Sequence, residues 1–241
     1  MAKILSVQDL AISFGNNHVL KSVNFDLDHN EVLGVIGPNG AGKTVMLNIL
    51  TGILKPTAGK ILFKGKDITG AGITERVRMG FGRTFQIPRS FEKMTAYENI
   101  MCGGVYGDGL NEKQAGERAL GVLRTIGLSS KADTFAGKLN LLDRKRLEIG
   151  SAMASNPEVL FLDEAAGGLT ETEVVEILEI VRTLKGSGCT IIWIEHVIQT
   201  MLQGTDRILL LSGGKDIITG LPYDVMTSEE CETVYLGVKK K

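Results

Sequence analysis

Short runs in which apolar and polar residues alternate fill the first part of the chain, at 4–13, 23–27 and 31–36, separated by Asn, Gly and Asp. A period of two puts every second side chain on one face, so these runs predict a small antiparallel sheet that feeds a central strand. From Gly42 the period changes: Val45, Leu47, Ile49 and Leu50 suit a helix that begins at Lys43 and closes at Gly52. Apolar runs return at 60–63, 80–86, 159–162, 190–194 and 207–211, with helical patterns at 171–185 and 197–202. Strands that alternate with helices predict an α/β fold with a mostly parallel sheet. Between Pro88 and Asn156 the strand runs vanish, and helical patterns at 95–101, 112–126 and 144–154 predict an inserted helical subdomain. The expectation is one domain over 1–241, with a core and N-terminal antiparallel β subdomain from 1–87 and 157–241 and a helical subdomain over 88–156.

Composition narrows the function. Twenty-seven basic and 28 acidic side chains leave a formal net charge of −1. That balance lacks the basic excess a nucleic-acid binder needs, so no nucleic-acid partner is expected. No apolar run approaches the ~20 residues that span a bilayer, and the first fifteen residues lack a signal-peptide core, which predicts a cytoplasmic chain. Cys102, Cys189 and Cys231 form no CxxC pair and are expected to be small buried thiols without chemistry. Lys239, Lys240 and Lys241 read as a solvated tail. Thirty glycines against five prolines predict loops in which the backbone itself approaches a ligand, and phosphate is the ligand that suits them.

Gly37-Pro38-Asn39-Gly40-Ala41-Gly42-Lys43-Thr44 follows a strand and opens a helix, the setting that makes GxxxxGK[ST] a phosphate loop. Its amides and the helix dipole surround a β-phosphate, Lys43 reaches the β and γ oxygens, and Thr44 ligates Mg²⁺. The apolar run 159–162 ends in Asp163 and Glu164. Beside a phosphate loop, a carboxylate at a strand's carboxyl end is where Mg²⁺ is held, which assigns Asp163 to the metal. Glu164, directed to the other face, is placed to orient or deprotonate an attacking water. His196 follows the apolar run 190–194 in the same way, and Gln86 is read as the tip of the strand 80–86, where its amide could touch Mg²⁺ or water and sense movement of the helical insert.

The order of phosphate loop, Gln86, helical insert, Asp163-Glu164 and His196 resembles the nucleotide-binding subunit of an ABC transporter over nearly the whole chain. Within that family, Arg83-Thr84-Phe85-Gln86, the segment from Phe91 to Ile100 and the closing Tyr235-Leu236-Gly237 resemble the ATP-binding subunits of branched-chain amino acid importers, and these segments are expected to face the permease. The resemblance implies an ATPase coupled to transport, peripheral on the cytoplasmic face of the membrane, with ATP and Mg²⁺ as cofactors. It implies that Phe14 stacks on adenine, that Gly37 to Thr44 hold the phosphates, and that Gln86 couples to the permease. It further implies that Asp163 serves Mg²⁺, Glu164 is the base and His196 contacts the γ-phosphate. Two such subunits sandwich two ATPs head to tail, so the partners are integral membrane permease subunits and a second ATP-binding subunit, either a copy of this chain or a different one.

The sequence departs from the family at its signature, Leu-Ser-Gly-Gly-Gln. The register fixed by Arg146-Leu147-Glu148-Ile149 puts Leu139-Asn140-Leu141-Leu142-Asp143 there. Asn140 can still donate a hydrogen bond to a partner's phosphate, whereas Leu141 and Leu142 add bulk and Asp143 adds a repulsive charge, unless Asp143 caps the helix that follows. Thr170 replaces the Asp or Asn that closes the loop after Glu164, and Ala165 stands where Pro is usual. Elements serving the subunit's own ATP are intact and those serving the partner's are altered, which predicts pairing with a different ATPase subunit. The other readings are a nucleotide-binding regulatory module with little hydrolysis and a non-transport ABC ATPase, the latter lacking the second cassette or long heptads it requires.

Overall fold

The computed structural model describes residues 3–236. Gly237 of the closing Tyr-Leu-Gly segment and the three terminal lysines lie outside the described residues. The chain runs β1 (Lys3–Phe14), β2 (Asn17–Asp28), β3 (Val32–Ile36), α1 (Lys43–Leu50), β4 (Ala58–Phe63), β5 (Lys66–Asp67), α2 (Ile73–Arg78), β6 (Phe81–Arg83), α3 (Ala96–Cys102) and α4 (Glu112–Thr125). It continues through α5 (Leu141–Met153), β7 (Val159–Asp163), α6 (Glu171–Gly186), β8 (Thr190–Ile194), α7 (Ile198–Gly204), β9 (Arg207–Ser212), β10 (Lys215–Gly220), α8 (Pro222–Met226) and α9 (Glu229–Leu236). These elements fall into two compact units, Met1–Ile73 with Thr190–Lys241, and Thr74–Cys189. No helix among the described residues is long and apolar enough to cross a membrane.

In the first unit β1 pairs antiparallel with β2 and β4, and β4 with β5, the small sheet that the alternation predicts. β3 lies parallel to both β8 and β9. Its sequence Val-Leu-Gly-Val-Ile is buried throughout, as are the five residues of β8, because a central parallel strand has no solvent face and reads as a continuous apolar run. β10 pairs antiparallel with β9 and touches β2 through one parallel bridge.

In the second unit β6 and β7 form a parallel pair, and α3, α4 and α5 bury Ile100, Val122, Leu123, Leu147 and Ile149 among themselves. Thr95 with Glu98 and Asn111 with Gln114 form capping boxes that start α3 and α4. Each pair satisfies two otherwise orphaned donors, and its four-residue spacing marks a helix start in sequence. The expected helical subdomain 88–156 lies inside this unit together with β6 and β7.

Three expectations need correction. The strand predicted over 80–86 ends at Arg83. The helix predicted over 144–154 begins at Leu141 because Asn140, not Asp143, is its N-cap: the Asn140 side chain accepts from the Asp143 amide at 2.8 Å. Cys102 is only half-buried, whereas Cys189 and Cys231 are buried. β10, which has no fully buried residue along its length, has none of the alternation that betrays a strand.

Candidate nucleotide site

β3 delivers the chain into 37–44. At Gly37 φ is 155°, and a Cβ would stand 2.1 Å from the Leu211 carbonyl oxygen, so only glycine lets the chain leave β3 this close to β9. Gly42, at φ 104°, is the N-cap of α1, whose first amides therefore open onto the loop. The Ala41 amide donates to the Pro38 carbonyl at 3.2 Å. Lys43 is buried, and its Nζ donates to the carbonyls of Gly37 at 2.7 Å and Pro38 at 3.2 Å, so the ammonium is held at the loop instead of in solvent. Thr44 is exposed at the start of α1, and Phe14 leaves half of its surface open at the end of β1.

Two further groups belong to the same unit. His196 is exposed two residues beyond β8, with its amide 3.2 Å from the carboxylate of buried Glu195. Tyr235 of α9, which sequence places toward the permease, hydrogen-bonds the Gly37 backbone, while burial pushes its phenol pKa up.

The second unit holds the carboxylates. Asp163 is buried; its Oδ2 lies 3.2 Å from Arg83 Nη2 and its amide donates to Thr84 Oγ1 at 3.1 Å. Arg83 and Arg89 both stand over the Phe85 ring, at 5.0 and 4.4 Å from its centroid. Glu164 follows with φ 51°, a left-handed conformation rare for a residue with a Cβ. Its carboxylate Oε2 accepts from Gln86 Nε2 at 2.6 Å, and its carbonyl accepts from Lys145 Nζ at 2.8 Å and from the Gly167 amide at 3.1 Å.

Gln86 is thus in a loop three residues past β6 and not at a strand tip. The Thr84 amide still donates to the Phe161 carbonyl, but the next donors are captured by a side chain: buried Glu148 accepts from the amides of Phe85 at 3.0 Å and Arg89 at 2.7 Å. Burial pushes the Glu148 pKa up, against those two hydrogen bonds. Arg83, Phe85, Arg89, Phe91, Tyr106 and Glu148 line a cavity of about 410 Å³, with Phe91 and Tyr106 well exposed.

The altered signature is rearranged more than its letters suggest. Asp143 is buried and its carboxylate pairs with Lys131 and, at 3.7 Å, with Arg146, which in turn reaches Glu176 of α6. Its charge is neutralised inside the unit, so the repulsion expected of it does not reach the surface. Leu142 is also buried, which leaves Asn140 and Leu141 as the exposed residues of the segment. Thr170 caps α6 in a box with Glu173, a structural reason for its hydroxyl.

Sequence reasoning missed Arg83, Lys145 and Glu148 as parts of this site. The available signal was an acid and a base three residues apart on the buried side of α5, among Leu142, Ile149 and Ala152.

A phosphate loop after a buried parallel strand and a separate apolar strand that ends in an Asp-Glu pair are the motifs of a nucleotide-hydrolysing cassette. The ABC transporter family model matches residues 20–167, and the chain belongs to that family, as an ATP-hydrolysing subunit. It is 35% identical over 249 residues to the high-affinity branched-chain amino acid transport ATP-binding protein LivG of Escherichia coli, covering 97% of this chain and 98% of that protein. It is 32% identical to the lipopolysaccharide export system ATP-binding protein LptB of Haemophilus influenzae, with 99% of each covered. The crystal structure of the ADP conformation of an ATP-binding cassette of an ABC transporter superposes with a TM-score of 0.90 at 29% identity, covering 99% of this chain and 100% of that one.

Proposed function

We propose that this ATPase subunit drives import of branched-chain or closely related amino acids. The support is its end-to-end similarity, at 35% identity, to a branched-chain amino acid transport ATP-binding protein. Phe14 stacks on adenine, the amides of 37–44 and Lys43 hold the phosphates, and His196 contacts the γ-phosphate. Glu164 is the general base that takes a proton from the attacking water, and its carboxylate is oriented by the Gln86 hydrogen bond.

Thr44 and Asp163 offer the hard oxygen donors that Mg²⁺ prefers. Among the described residues no cluster of three or more His, Cys, Asp or Glu could hold a metal by itself. That fits an ion bound through one carboxylate, a hydroxyl and the nucleotide's own oxygens. When bound, Mg²⁺ neutralises charge on the β and γ phosphates. The Arg83 guanidinium, 3.2 Å away, orients the Asp163 carboxylate.

The exposed aromatics Phe91 and Tyr106 beside the cavity near Gln86 support attachment to a membrane permease on the cytoplasmic face. The missing glycines of the signature support pairing with a different ATPase subunit. As a test, the transporter is copurified through a tag on this chain, reconstituted in vesicles and supplied with MgATP. ATP-dependent uptake of leucine, isoleucine or valine is expected. Uptake of none of these, with lipopolysaccharide extraction in its place, would contradict the reading.

A further inference from the structure

One face of α5 grips both segments that meet at Glu164. Lys145, buried, donates from Nζ to the Glu164 carbonyl at 2.8 Å. Glu148, one turn further and also buried, accepts the amides of Phe85 and Arg89. Those amides bracket Gln86, whose Nε2 lies 2.6 Å from Glu164 Oε2. The carboxylate is therefore fixed from two directions, through its backbone by Lys145 and through its side chain by a loop that Glu148 anchors.

We propose that Lys145 is a positioning residue for hydrolysis, holding the left-handed backbone at Glu164 so that the carboxylate faces the attacking water. The proposal rests on the reading of Glu164 as the base. A residue with a Cβ remains at φ 51° only where its surroundings impose it. A charged donor on the Glu164 carbonyl, from a buried lysine, fixes the direction of that peptide more firmly than the Gly167 amide does alone. Without Lys145 the Glu164 carbonyl is held by the Gly167 amide alone, a looser restraint that lets the carboxylate shift while leaving the phosphate loop as it was. Because the Gly167 hydrogen bond persists, the turn itself survives.

The test compares Lys145→Met, Lys145→Arg, Glu164→Gln and the Lys145→Met/Glu164→Gln double variant in the copurified transporter, with MgATP turnover and ATP affinity measured for each. Lys145→Met is expected to lower kcat about tenfold with ATP affinity unchanged. Lys145→Arg, which keeps a long charged donor, is expected to restore most of the rate. In the Glu164→Gln background Lys145→Met is expected to cost nothing more, since there is no base left to position. If Lys145→Met fails to fold, Lys145→Gln, shorter and uncharged, replaces it with the same expected pattern. Wild-type turnover by the Lys145 variant beside an impaired Glu164→Gln overturns the positioning role alone, and so does an equal loss in both backgrounds. Wild-type turnover by Glu164→Gln overturns the base assignment instead.

Discussion

Gln86 Nε2 donates to Glu164 Oε2 over 2.6 Å, and Glu148 holds the backbone on both sides of Gln86. The amide is carried by the 84–90 loop that Glu148 anchors, so on the reading of Glu164 as the base a permease that displaced this loop would draw the amide away from the base. Gln86→Ala is predicted to leave ATP affinity of the isolated subunit unchanged and to reduce permease-stimulated hydrolysis and transport. Stimulation measured on mutant and wild-type complexes checks this, and equal stimulation contradicts it.

The Lys43 ammonium donates to two loop carbonyls, interactions that phosphate oxygens would replace on the proposed reading. Lys43→Ala is predicted to weaken MgATP binding at least about tenfold, since a charge-assisted contact contributes ~1.5–3 kcal/mol. Equilibrium nucleotide titration gives the answer; an unchanged affinity would remove the phosphate-loop assignment.

For Asp143 the structure changes the prediction. Its carboxylate pairs with Lys131, itself 44% exposed, and with the mostly buried Arg146. Asp143→Asn is therefore predicted to destabilise the protein by about 1–3 kcal/mol, less than a fully buried pair because Lys131 is screened by solvent. Turnover in the assembled transporter should change little. Denaturant unfolding and a rate assay separate the two effects, and a large gain in turnover without loss of stability would return Asp143 to the nucleotide surface.

The pH dependence of stability carries the imprint of Glu148. Burial raises its folded pKa above the ordinary 4.5, so between those values the folded state holds more proton than the unfolded one. Its contribution is present below pH 4.5 and is lost as pH rises through the folded pKa. Glu148→Gln is predicted to flatten that decline, read from unfolding free energies across the window. An unchanged slope would show that Glu148 is not the group responsible.

Much of this was legible in the chain because the signals are local. Apolar runs marked β3, β7 and β8, and the phosphate loop declared itself by glycines whose conformations the structure bears out at Gly37 and Gly42. The capping boxes at Thr95 and Asn111 were equally readable in principle. The misplacement of Gln86 has a long-range cause: Glu148, 63 residues from Phe85, takes the amides that a longer β6 would have paired. Asp143 was misread for the same reason, since Lys131 and Arg146 determine where its charge points.

The central claim is that Glu164 deprotonates the water that attacks ATP. Its most direct test is single-turnover hydrolysis of MgATP by the copurified transporter carrying Glu164→Gln, with bound nucleotide quantified in parallel. The account predicts a rate lower by about 10² or more with ATP retained at wild-type affinity, because the neutral amide keeps the shape of the side chain and cannot accept the proton. Hydrolysis at the wild-type rate would contradict it and shift the proton transfer to another group.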